Sequence, residues 1–276
     1  MSDSALLQIR GLTKTYRSIG RQPVTSLDDV YFGVPEGQIT GLVGESGSGK
    51  STTIRCILGL ERPDDGWIEY DGARLLSHGI GLGRAPHREI QVVFQDPTSS
   101  LNPRMTAADL IGEALVVHRL CATRQARQAR VAELMRLVGL DPAAADRRPR
   151  SFSGGQRQRI AIARALAVEP RLLICDEAVS ALDVSVQAQI LNLLLDMRDT
   201  LGLTVLFVAH DLAIVRQIAS DVVVLKGGRV VEEGPCDEVF AHPDHPYTRE
   251  LLAAAPIPDP EAARARARER RLRAVP

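Results

Sequence analysis

Residues 44–51 read GESGSGKS, a run that fits the pattern G-x-x-x-x-G-K-[ST]. Glycines at this spacing let successive backbone N–H groups curl around the oxygens of a phosphate, and a helix beginning at the end of the run adds its dipole. Lys50 can then reach the outer phosphates of a nucleotide, and Ser51 can hold Mg²⁺. The chain contains only three lysines, Lys14, Lys50 and Lys226, which argues against a chance match. Further along, residues 151–159 read SFSGGQRQR, a second glycine stretch. In isolation it describes a serine helix cap followed by an exposed, arginine-rich helix.

Other segments offer partner chemistry. LLICDE (172–177) has four apolar residues, as a buried strand needs, before Asp176 and Glu177 emerge at its end. A carboxylate at the Asp176 position can bind Mg²⁺ through water, and Glu177 can position and polarise an attacking water. The plainer alternative is an acidic strand end that caps the following helix. TVLFVAH (204–210) ends in His210, which can contact a γ-phosphate, although a lone histidine at a strand end is more often structural. EIQVVFQ (89–95) reads as a strand ending in Gln95, which can sense Mg²⁺ and the attacking water.

The elements that must carry these residues follow from periodicity. QITGLVG (38–44) predicts a buried strand running into the glycine loop, and Ile54, Ile57 and Leu58 then share one helical face. Val186, Ile190, Leu193, Leu194 and Met197 recur at helical spacing before Gly202 stops the helix. In DVVVLKGGRVVEEG (221–234), Gly227 and Gly228 predict a tight hairpin. Residues 105–140 differ in character: Val131, Leu134, Met135 and Val138 have helical spacing with no strand signal, so a helical insertion is expected. Strand-length runs alternating with helical ones predict an α/β fold with a largely parallel sheet.

Composition narrows the class. The 276 residues are 45% hydrophobic, with 34 basic and 34 acidic side chains, which suits a globular chain and supplies no field to attract nucleic acid. No basic leader opens the sequence, and no apolar run approaches the roughly 18 residues that span a bilayer, so the chain is expected to be neither secreted nor membrane-spanning. Cys56, Cys121, Cys175 and Cys236 are too scattered for a zinc or disulfide framework, and reduced cytosolic thiols are expected. The tail from 261 to 276 carries six arginines (264, 266, 268, 270, 271, 273) against Glu261 and Glu269. It reads as a solvated end, with contact to anionic lipid as the sharper alternative.

Together these residues resemble the nucleotide-binding subunit of an ABC transporter, from about Leu7 to Leu252. Against that family, Gly44, Glu45, Ser46, Gly47, Ser48, Gly49, Lys50, Ser51 and Thr52 match the Walker A region, and Gln95 the Q-loop. Ser153, Gly154, Gly155 and Gln156 match the signature motif, and Asp176 and Glu177 match Walker B and the catalytic glutamate. Asp183 in SALD matches the D-loop, and His210 the switch histidine. Tyr16 falls where the family stacks an aromatic ring on adenine. The resemblance implies a P-loop ABC ATPase fold: a RecA-like core, an antiparallel β subdomain and a helical subdomain of about 105–160, within an ATPase domain spanning 1–252.

It also implies ATP and Mg²⁺ as cofactors, with Ser51, Gln95 and Asp176 toward the metal and Glu177, His210 and Gln95 as the catalytic set. Two subunits, identical or different, would meet head to tail, so that the signature of one closes over ATP held by the other. DPTSSLNPRMT after Gln95 and HPDHPYTRELL (242–252) resemble bacterial importers of dipeptides, oligopeptides and, in some members, nickel or glutathione, with a C-terminal extension over 235–276. The implied partners are integral-membrane permease subunits, a second ATP-binding subunit and, through the permease, an extracytoplasmic substrate-binding protein. The implied location is the cytoplasmic face of the membrane, as a peripheral protein. A soluble ABC ATPase acting on a cytosolic complex or nucleic acid is the alternative. Phe152 before SGGQ and Ala178 after Glu177 depart from the commoner leucine and proline.

Overall fold

The computed structural model describes residues 5–17, 20, 22–77, 88–180 and 182–254. The arginine-rich tail and Ala181 of SALD lie outside the described residues.

Two sheets organise the chain. The first is antiparallel, with order β2-β1-β4-β5, from β1 (Ala5–Tyr16), β2 (Val24–Pro35), β4 (Asp65–Tyr70) and β5 (Ala73–Ser77). The second has six strands in the order β10-β9-β3-β8-β7-β6. It is built from β3 (Ile39–Val43), β6 (Ile90–Val93), β7 (Leu172–Asp176), β8 (Thr204–Ala209), β9 (Asp221–Lys226) and β10 (Arg229–Pro235). Its strands are parallel except for the β9–β10 hairpin, where Gly227 and Gly228 take φ 54 and 83, the pair of positive angles a two-residue turn of this hand requires.

The helices are α1 (Lys50–Ile57), α2 (Pro97–Ser100), α3 (Ala107–Val117), α4 (Arg124–Leu137), α5 (Gly154–Leu166), α6 (Val184–Leu201), α7 (Leu212–Ile218), α8 (Cys236–Ala241) and α9 (Pro246–Ala254). As expected, 105–140 holds only helices among its elements: α3 starts at a Thr106–Asp109 capping box, and α4 buries Val131, Leu134 and Met135. Gly202 closes α6 at φ 64. Among the described residues no helix is long and apolar enough to cross a membrane.

The inner strands β3, β7, β8 and β9 are buried on both faces, and strand alternation sorts their side chains. Val205 and Phe207 of β8 pack into one core with Leu110, Leu134, Ile160 and Ile190 of the helices. Leu206 and Val208 point the other way, into a core shared with Ile9, Phe32, Ile54 and Ile57. Register then determines where chemistry emerges. Val43 pairs with Ala209, and Asp176 with Val208, so Gly44, Glu177 and His210 all follow at the same carboxyl edge, where open α/β sheets hold ligands. The strand expected over 89–95 ends at Val93, paired with Cys175, so Gln95 stands two residues beyond its strand on a loop.

Candidate active site

Residue by residue, the loop after β3 is shaped by backbone that only glycine takes without strain. Gly44, Gly47 and Gly49 have φ 154, 82 and 114. A Cβ on Gly44 would lie 2.2 Å from the Leu225 carbonyl, and one on Gly49 would lie 2.7 Å from that of Ser26. Gly228, at the hairpin tip, donates its N–H to the Ser48 carbonyl at 2.9 Å. Glu45, Ser46 and Gly47 face solvent, as does Ser51, whereas the Ser48 hydroxyl is buried without a hydrogen-bond partner. Thr52 is tied to the antiparallel sheet by its Oγ1, 2.8 Å from Ser26 Oγ. Tyr16 pairs with Val24 two residues before that contact, and Lys14 Nζ lies 5.6 Å from its ring centroid.

Lys50 is only 6% exposed and folds back over its own loop, donating to the Gly44 carbonyl at 2.6 Å and the Glu45 carbonyl at 3.0 Å. Burial pushes its ammonium below the usual lysine range, opposed by the charges of Glu177 and Asp176. Asp176 shows the converse: burial first, then repulsion from Glu177, raises its carboxyl above the ordinary value, opposed by Lys50. The site therefore holds one buried cation and two carboxylates in mutual reach, with its charges incompletely balanced.

Glu177 sits at φ 49, a left-handed conformation uncommon outside glycine, and its N–H donates to the Val208 carbonyl at 2.9 Å. The bond completes the ladder in which Asp176 pairs with Val208, and the left-handed φ then takes the chain off β7. His210 Nδ1 lies 3.6 Å from Glu177 Oε2, an electrostatic contact longer than a hydrogen bond. Gln95 reaches the Glu177 backbone through Ser180, the first residue of SALD and one the sequence gives no role of its own: the Gln95 amide nitrogen donates to Ser180 Oγ at 3.1 Å, and that hydroxyl donates to the Glu177 carbonyl at 3.0 Å. No local spacing signals Ser180, because the bridge spans 85 positions.

The signature residues are elsewhere. Ser153 caps α5: its hydroxyl accepts from Gln156 N–H at 3.3 Å, while Gln156 Oε1 accepts from Ser153 N–H at 2.9 Å. Gly155 lies so near α6 that a Cβ would be 2.3 Å from Val186 Cγ1, and Gly154 adjoins Leu182. The arginines of this helix are not a free solvated face. Arg157 binds the Phe152 carbonyl, Arg159 that of Val138 and Arg164 that of Ser100. Asp183 caps α6, accepting from Val186 N–H at 3.0 Å; its bond from the Ser185 hydroxyl is the main reason its carboxyl is held below the usual range. Among the described residues, no hydrogen bond or ion pair joins Ser153–Gln156 to the glycine loop.

The chain thus brings a glycine loop, a buried lysine and two carboxylates to one sheet edge, and opens its second glycine stretch at a capped helix start. Its residues 27–180 match the ABC transporter family, and 231–275 match the oligopeptide/dipeptide transporter C-terminal region. The chain belongs to the ABC transporter family. It is an ATP-binding, ATP-hydrolysing cassette of that family.

Relatives of this ABC chain include the Bacillus subtilis oligopeptide transport ATP-binding protein OppF, 48% identical over 92% of this chain and 83% of that protein. The Mycobacterium tuberculosis oligopeptide transport ATP-binding protein OppD is also 48% identical, over 93% of this chain but 43% of its own length. The chain spans less than half of that longer relative. Among solved structures, a dimeric post-hydrolysis ATP-binding cassette bound to ADP and Pi superposes with TM-score 0.74 at 30% identity, covering 83% of this chain and 98% of that one. A Clostridium perfringens cassette, cbiO1, part of the ABC transporter complex cbiONQ, gives TM-score 0.75 at 28% identity over 87% and 92%.

Proposed function

We propose that this chain energises the import of short peptides through a separate membrane permease by binding and hydrolysing ATP. The observation that carries the reading is the convergence of the glycine loop, Asp176, Glu177 and His210 at the carboxyl edge of β3, β7 and β8. Peptide import is supported by the names of the relatives and by the match of residues 231–275 to the oligopeptide/dipeptide transporter C-terminal region.

On binding ATP, Lys50 exchanges the Gly44 and Glu45 carbonyls for the outer phosphates, and the loop N–H groups receive the remaining oxygens. Glu177 orients the attacking water and accepts its proton, with His210 beside it contacting the terminal phosphate. Tyr16 stacks on the adenine. Oxygen donors from Ser51, Asp176 and Gln95 suit Mg²⁺, and the raised carboxyl of Asp176 is a group whose ionised form a nearby cation favours. Mg²⁺ supplies charge neutralisation of the phosphates when bound.

Ser153, Gly154, Gly155 and Gln156 act on ATP held by a second subunit, identical or different, and Asp183 lines that junction. Residues 1–252 form the ATPase domain, the helical subdomain of about 105–160 and the loop after Gln95 meet the permease at the cytoplasmic face, and 235–276 form the C-terminal extension. An extracytoplasmic binding protein delivers peptide through the permease. Glu177→Gln tests the catalytic assignment: hydrolysis falls by about 10²–10⁴ while ATP binding persists and the dimer stays closed on size-exclusion chromatography. Unchanged hydrolysis by this variant overturns it.

A further inference from the structure

The HPDHPYTRELL segment reaches the glycine loop through one side chain. Tyr247, the second residue of α9, is 3% exposed, and its hydroxyl accepts the Glu45 N–H at 3.0 Å. Its placement is over-determined. The Glu232 carboxylate on β10 accepts the N–H groups of Asp244 and His245 at 2.8 and 3.1 Å. Arg249 clasps the carbonyls of Pro243 and Asp244 at 2.8 and 3.1 Å, and His245 Nδ1 accepts the Tyr247 N–H at 3.1 Å. Lys226, at the end of β9, places its ammonium 4.3 Å from the centre of the Tyr247 ring.

The Glu45 N–H and the Gly44 carbonyl belong to one peptide plane. Tyr247 holds that plane by its N–H, and Lys50 holds it by its carbonyl. If Lys50 leaves for phosphate, the tyrosine remains as the side-chain restraint on the peptide that opens the loop, next to a glycine whose backbone can rotate.

We propose that Tyr247 is a positioning residue for ATP binding, fixing the Gly44–Glu45 peptide so that the C-terminal segment sets the affinity of the glycine loop. This rests on the nucleotide reading of that loop. Tyr247→Phe in the full chain keeps the ring and its contact with Lys226 and removes only the hydroxyl. The expected result is faster amide exchange at Glu45 without nucleotide, KM for ATP raised about fivefold, the scale of one lost hydrogen bond, and kcat within about twofold. A merely structural role would lower the melting temperature without dividing KM from kcat in this way. Unchanged exchange, unchanged KM or a loss confined to kcat overturns the proposal while wild-type hydrolysis leaves the nucleotide reading standing. Failure of the wild-type chain to bind ATP removes both.

Discussion

At Gly44, Gly47 and Gly49 the chain uses glycine for positive φ, whereas Gly155 lies within the first turn of α5, where glycine serves close packing against Val186. The electrostatics differ in the same sense. Around the loop stand an unpartnered Ser48 hydroxyl, a buried Lys50 pushed down and an Asp176 pushed up. At the signature, Ser153 and Gln156 satisfy each other in a capping box. One glycine stretch surrounds buried polar and charged groups that a ligand can satisfy, and the other is a settled helix start made thin enough to pack. Similar residues thus answer to backbone geometry in one place and to side-chain volume in the other.

That contrast can be broken by substitution. Gly49→Ala should cost the most, about 3 kcal/mol, because the new Cβ meets backbone at 2.7 Å and the φ of 114 stays wrong whatever moves; denaturant unfolding and loss of ATP binding measure it. Gly155→Ala should cost about 2 kcal/mol, but its clash is with the Val186 side chain. Adding Val186→Ala should restore most of that stability, and failure of the rescue would show that Gly155 is needed for its backbone after all.

Ser153→Ala should lose about 1 kcal/mol of a helix cap, visible in the same unfolding curves. The smallest effect has the opposite sign. Because the folded-state carboxyl of Asp176 lies above its ordinary value of 3.8, ionising it costs the nucleotide-free fold stability as pH rises through that raised value. Asp176→Asn should therefore raise the melting temperature at pH 7 by about 2 °C without nucleotide, with the gain vanishing as pH falls below 3.8. With ATP and Mg²⁺ present, the wild type should regain the advantage.

What the sequence disclosed was mostly what is local. The buried strand 39–43, the loop after it and the Gly227–Gly228 turn each carry their signal within a few residues. The antiparallel sheet entered only through family resemblance. Strand β1 loses its alternation where the register shifts between Ile9 and Leu12 and Gly11 takes φ 61, and its partner β4 lies far along the chain. The sequence carries the strand to Gln95 because the apolar run at 92–94 leads up to it, and apolar character does not mark where pairing with β7 stops. The links from Ser180 to Gln95 and from Tyr247 to Glu45 join positions 85 and 202 apart, so no periodicity records them.

The hairpin tip has a bearing on how the chain can change in length. Gly228 gives its N–H to Ser48 and takes the Asp28 N–H on its carbonyl at 2.8 Å, joining the antiparallel sheet, the hairpin and the glycine loop through one residue. Surface turns ordinarily absorb insertions. Here an added residue between β9 and β10 would shift both bonds at once, so a turn that looks dispensable should resist lengthening where the exposed start of α4 accepts it.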